Sequence, residues 1–184
     1  MMIKNARLSF PHLYRAHAFN PGQTPKFSAT LIFDADGATA EAVKAEIKAV
    51  AEAKWGAKAP EVLKALNAQN KLCLRSSEEK ADLEGFEDST LFINASSTKR
   101  PGTFNRDRSP LAEDDNKLYP GCYVNAAVEI WAQDNQYGRR INAELKGVQF
   151  AEDGEPLGGG GAPATADDFP ELEPASASSD DDWM

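Results

Sequence analysis

The sequence predicts a mainly β domain with an inserted helical segment: a small antiparallel barrel or sandwich followed by an acidic tail. Three observations carry this reading. Apolar residues alternate at period two in several short stretches, the period switches to helical spacing in one place, and no βαβ rhythm links the strands.

The first stretch is Lys4-Asn5-Ala6-Arg7-Leu8-Ser9-Phe10. It sets Ala6, Leu8 and Phe10 on one face and Asn5, Arg7 and Ser9 on the other, and Pro11 is expected to stop it. Residues 12–25, with Asn20-Pro21-Gly22, read as a loop. Phe27, Ala29, Leu31 and Phe33 then alternate with Ser28 and Thr30 until Asp34-Ala35-Asp36-Gly37 breaks the run. Over residues 39–55 the period changes: Val43, Ile47, Val50 and Ala51 share a helix face, Glu41, Lys44, Glu46 and Lys48 face solvent, and Gly56 suits the end. Pro60 opens a second, shorter helix with Val62, Leu63 and Leu66 on its apolar side. Residues 91–96 form a third strand, and a polar loop over 97–120 leads to a hairpin. Its arms are 122–133 and 139–150, joined by the turn 134–138. Val124, Ala126, Val128 and Ile130 of the first arm face inward with Ile141, Ala143 and Leu145 of the second. Gly147 shifts the phase so that Val148 and Phe150 resume the apolar set.

Charge divides the chain at residue 150. All 20 Lys and Arg and 19 of the 29 acids lie before the division, so residues 1–150 carry about +1, whereas residues 151–184 carry ten acids and no base. The second part is rich in Gly, Ala, Pro and Ser, including Gly158 to Gly161. It buries too little apolar area to offset its ordering entropy and is expected to be a disordered tail. The glycine run lacks the Lys-Ser/Thr ending of a phosphate loop. Cys73 and Cys122 do not make a disulfide framework. With no 18-residue apolar run and no signal peptide, a soluble protein of a reducing cytoplasm is expected.

The sequence gives catalysis little to work with. His12 and His17 stand five apart in a proline-bounded loop without Cys or Glu partners, a poor zinc set. Glu113-Asp114-Asp115 could hold a divalent cation as a metal-dependent nuclease does, but reads better as a solvated loop end. No metal, cofactor or catalytic residue is expected.

Nucleic acid fits better. Lys99, Arg100, Arg106 and Arg108, opposed by Asp107, surround Phe104, and a single strand needs both cations for phosphates and flat partners for bases. On the outer side of the hairpin the alternation gathers Tyr123, Trp131, Arg140 and Lys146, with Tyr137 and Arg139 at the tip. These eleven residues are the candidate DNA-binding set.

Several longer motifs resemble one phage family: Ile3 to Pro11, Phe92-Ile93-Asn94-Ala95-Ser96-Ser97 with Arg100-Pro101, Arg106-Asp107-Arg108, Tyr119 to Ala126, Val148-Gln149-Phe150 and Gly154 to Gly158. The family is the bacteriophage single-stranded DNA-binding proteins formerly catalogued as a domain of unknown function, and the resemblance spans roughly residues 2–160. It implies an OB-fold similar to that of podovirus single-strand binders, and non-enzymatic, sequence-independent binding of single-stranded DNA. The setting it implies is the cytoplasm of the infected host, during phage replication or recombination. A homodimer is compatible with it. The ending Asp180-Asp181-Asp182-Trp183-Met184 looks like the acidic, aromatic-ended tips of bacterial and phage single-strand binders. Such tips occupy their own groove in the absence of DNA and recruit phage or host replication proteins. The rival readings are the nuclease above and an interaction scaffold acting through the tail alone.

Overall fold

The computed structural model describes residues 1–158 and residue 171. The acidic tip, Asp180 to Trp183, therefore lies outside the described residues, as does most of the tail. Seven strands and two helices follow one another as β1 (Met2–His17), β2 (Lys26–Asp34), α1 (Ala38–Trp55), α2 (Ala59–Ala68), β3 (Leu74–Ser76), β4 (Thr90–Ser97), β5 (Gly102–Phe104), β6 (Tyr123–Asn135) and β7 (Gly138–Glu152).

Five of the strands close on themselves. β1 pairs antiparallel with β2 and with β6, β2 with β4, and β6 with β7. A parallel contact of β4 with β7, Ser96 beside Glu144, completes the ring. This is a five-stranded barrel of the OB type. Where β4 and β7 splay apart, the chain leaving α2 wedges between them: Leu72 bridges Ile141, and β3 pairs with β4 from Leu74 opposite Ile93. β5 continues alongside β7, with Phe104 opposite Gln149.

The inward residues expected of the hairpin are buried, from Val124, Ala126, Val128 and Ile130 to Ile141, Ala143, Leu145, Val148 and Phe150. The phase shift lies at Ala127/Val128, where Lys146 is the extra residue of a bulge beside Gly147. The hairpin turn is tighter than expected, since Asn135 already pairs with Gly138, whose φ of +99° suits glycine. α1 lays Val43, Ile47 and Ala51 into the core, as its periodicity requires.

Three differences from the sequence reading have physical causes. β1 does not stop at Pro11 but runs on to His17. Phe10 adopts a left-handed φ of +44° and the register with β2 shifts between Ser9 and His12, so a bulge absorbs the proline's missing N–H. That bulge also turns Phe10 outward, away from the inner face shared by Ala6 and Leu8. β3 and β5, three residues each, are too short to show a period in sequence. Finally, packing continues past residue 150. β7 ends at Glu152, and residues 153–157 run as a strap over the barrel. Tyr119 Oη donates to Asp153 Oδ1 at 2.9 Å, Arg7 Nη2 donates to the Glu155 carbonyl at 2.9 Å, and Leu157 N–H donates to Pro120 O at 2.9 Å. A Cβ on Gly121, whose φ is +108°, would stand 2.0 Å from the Glu155 carbonyl oxygen, so glycine alone admits the strap.

Candidate nucleic-acid interface

A cleft of about 790 Å³ opens where three segments meet on the outside of the barrel. One wall is the tip of the β6–β7 hairpin, with Trp131, Gln133, Tyr137 and Arg140. The opposite rim comes from the β1–β2 connection through Gln23 and from the start of β2 through Lys26. The floor is β4, through Asn94, Ser96 and Ser97, with Thr98 just beyond it and the 70–75 segment. In OB barrels this is the face, flanked by the first hairpin loop and the last, that takes oligonucleotides.

The cleft is cationic. Lys26, Lys71, Arg75 and Arg140 line it against one carboxylate, Glu144. Among the described residues, Lys26, Lys71 and Arg140 have no carboxylate within ion-pair distance. Arg75 pairs with Glu79, while its Nε is buried without a hydrogen-bond partner. Glu144 stays ionised: Lys146 beside it, helped by Lys99, holds its carboxyl below the usual range. The aromatics stand clear of the core, Trp131 at 42 % and Tyr137 at 80 % exposure. Trp131 faces Asn142 across the ladder and Gln133 faces Arg140, so ring, amides and guanidinium share one surface. Cys73 also lines the cleft, but burial pushes its thiol up to about 12, which leaves it unable to act as a nucleophile at neutral pH.

The hairpin tip is held from behind. Trp55, at the end of α1, donates its indole N–H to Asp134 Oδ2 at 2.8 Å, and Arg139 Nε donates to the same oxygen at 3.2 Å. These partners, the indole first, hold the Asp134 carboxyl below the ordinary range.

The eleven residues expected from sequence do not converge. Trp131, Tyr137 and Arg140 line the cleft, and Lys99 is close enough to Glu144 to influence its ionisation. Arg139 is turned to Asp134, and Lys146 bridges Glu129 at 3.2 Å and Glu144 at 2.9 Å. Arg100 lies 5.1 Å from the centre of the Tyr14 ring. Phe104, Arg106 and Arg108 stand elsewhere: Phe104 pairs with Gln149 and Arg106 Nη1 donates to the Ala151 carbonyl. Ala151 is seven residues, roughly 23 Å of strand, beyond Glu144. Tyr123 is also apart, eight residues down β6 from Trp131, where it lines a separate cleft with Lys4 and Arg7. Lys26, Lys71, Arg75, Asn94 and Ser96, which the sequence reading did not include, also line the cleft. Only the alternation of Asn94 and Ser96 with buried Ile93 and Ala95 hinted at an outward polar face.

His12 and His17 stack face to face at 4.4 Å with Phe19 edge-on to both. Burial, then the neighbouring His17, lowers the His12 pKa. The 113–115 acids have local duties: Glu113 meets Arg15 at 3.4 Å, and Asp115 accepts the Ala112 N–H at 2.8 Å.

A barrel with a cationic, aromatic cleft between its first and last hairpin loops has the arrangement of OB-type single-strand binders. The family model described as Enterobacter phage Enc34, ssDNA-binding protein matches residues 1–183, and the chain belongs to that family, a non-enzymatic one. It is 36% identical over 176 residues to "Putative protein p50" of Acyrthosiphon pisum secondary endosymbiont phage 1, covering 94% of each. Its fold is similar to that of the single-stranded DNA-binding protein from bacteriophage Enc34 in complex with ssDNA (TM-score 0.71, 28% identity, 85% of this chain and 88% of that one). It shares its fold with gp2.5 of bacteriophage T7 at a TM-score of 0.55, with 10% identity over 91% of this chain and 89% of that one. No helix among the described residues is long and apolar enough to cross a membrane.

Proposed function

We propose that this protein binds single-stranded DNA, without sequence preference, in the cleft between the β6–β7 tip and the β1–β2 connection. The observation that carries the reading is the convergence of Lys26, Lys71 and Arg140 with exposed Trp131 and Tyr137 on one OB face. Cations take the phosphates and the rings take bases; since every base has a π face, stacking tolerates any sequence. Lys99 serves the rim. The work is done in the cytoplasm of the infected host, during phage DNA replication or recombination. Partner replication proteins are recruited through Asp180, Asp181, Asp182 and Trp183. The seven acids beyond the strap, Asp167 to Asp182, favour the tail as a competitor for the cationic cleft, tethered at about millimolar effective concentration.

Anisotropy of a labelled oligo-dT, titrated with the full-length protein at several salt concentrations with and without magnesium, tests this. Saturable binding with a steep salt dependence and intact DNA in magnesium is expected. DNA degraded in magnesium would point to the nuclease, and no binding would leave the scaffold. Deleting residues 163–184 tightens binding, most at low salt; equal affinities would remove the competition. Sedimentation of the same samples reads whether the binding species is a homodimer.

A further inference from the structure

Outside the cleft, one cluster combines three features that core packing does not require. Phe10 is a bulky residue held at φ +44°, a conformation costly for any side chain bearing a Cβ and commonest at sites where strain serves function. That strain leaves it 44 % exposed, beside Phe19 at 63 %. Lys80 stands over the same cluster, its Nζ 5.3 Å from the Phe10 ring centre, 5.2 Å from Phe86 and 4.8 Å from Phe92. Among the described residues the Lys80 ammonium has neither a carboxylate within ion-pair distance nor a hydrogen-bond acceptor. Burial lowers its pKa, so an incoming anion would relieve it.

Phe10, Phe19 and Lys80 enclose a hollow of about 370 Å³ with Ser28, Thr30, Asn94 and Ser96. The Ser28 hydroxyl there is buried without a partner. Asn94 and Ser96 also line the main cleft, so the two depressions meet along β4. From β7 through β4 and β2 to β1 there are three strand spacings, about 14 Å. A strand lying in the cleft and continuing across the barrel meets this hollow next.

We infer that Phe10, Phe19 and Lys80 form a second nucleotide subsite, in which a base stacks on the exposed rings and Lys80 holds the adjoining phosphate. The inference rests on the cleft being the single-strand groove. It adds residues from β1, from the β1–β2 connection and from the segment after β3, and it gives the bound strand its direction of travel across the barrel.

The test uses full-length protein with oligo-dT of increasing length, and the variants Phe10→Asn, Lys80→Gln and, as the cleft control, Arg140→Ala. Asparagine tolerates the left-handed backbone, so Phe10→Asn removes the ring while easing strain. Wild-type affinity is expected to rise once the oligonucleotide spans both depressions. Phe10→Asn abolishes that rise, with a loss of about tenfold on long DNA and little change on the shortest that binds. Lys80→Gln flattens the salt slope on long DNA by about 0.7. Phe10→Tyr, which keeps the ring, retains wild-type affinity. If Phe10→Asn and Lys80→Gln both bind long DNA like wild type while Arg140→Ala is weakened, the subsite is wrong and the cleft stands. If Arg140→Ala is also unaffected, the cleft reading itself falls. Equal losses on short and long DNA would assign the two variants to a general distortion of the barrel and overturn the subsite.

Discussion

Two basic regions of this molecule invite the same interpretation and differ in what surrounds them. The 99–108 loop holds four cations within ten residues around an exposed Phe104, yet Arg106 spends a guanidinium nitrogen on the Ala151 carbonyl and Arg100 lies against Tyr14. The cleft draws Lys26, Lys71 and Arg140 from three distant parts of the chain and leaves them without carboxylate partners among the described residues. Under the proposed function, a dense run of charge along the chain is a weaker guide to the polyanion site than sparse charges that converge, because phosphates answer to local field and spacing in three dimensions.

The largest expected effect separates these regions. Replacing Lys71 and Arg140 together by Ala flattens the salt slope for oligo-dT by about 1.4, at about 0.7 per phosphate contact, whereas replacing Arg106 and Arg108 changes it by less than one contact's worth. The reverse ranking would move the groove to the loop. Next comes stacking. Trp131→Ala weakens binding by roughly 1–3 kcal/mol while the melting temperature holds, since the ring is outside the core. A protein that melts instead would make Trp131 a packing residue. Quenching by DNA is to be followed in a Trp183→Phe background, because Trp55 and Trp183 report too.

A smaller effect sharpens the role of the hairpin tip. Trp55→Phe removes the indole donor to Asp134, so amide exchange over 134–138 accelerates and DNA affinity falls severalfold without loss of the barrel. Unchanged exchange would mean that the turn holds itself. Asp134 gives the same contact a pH signature. Its folded pKa is depressed, so its contribution is complete above the ordinary carboxylate pKa and is lost as pH falls through the lower folded value. Tip protection is therefore flat through neutral pH and fails only in acid. The smallest effect is at the end of β1. His12 is favoured neutral in the fold, so lowering pH through the ordinary histidine range destabilises the stack with His17, visible as shifted imidazole resonances before the barrel is affected.

Much of the barrel was legible in sequence, since burial on one face of a pleated strand leaves a period-two record. Val124 to Ile130 and Ile141 to Phe150 carry that record, as does the 3.6 spacing of Val43, Ile47 and Ala51 in α1. The motifs of residues 3–11, 92–101 and 119–126 pointed to the family that the chain belongs to. Composition alone marked the acidic tail. Tertiary structure decided what no local pattern records. The bulge at Phe10 turned an expected core residue outward and carried β1 through a proline, because backbone geometry at one residue reverses the face of its side chain. The parallel contact of Ser96 with Glu144 closed the barrel and brought β4 beside the hairpin. Only then did Lys26, Lys71, Asn94 and Arg140 become neighbours, while Tyr123 and Arg106 fell to the far end. A binding groove is assembled from residues distant in the chain, and their proximity is a property of strand pairing that the spacing of residues along one strand does not encode.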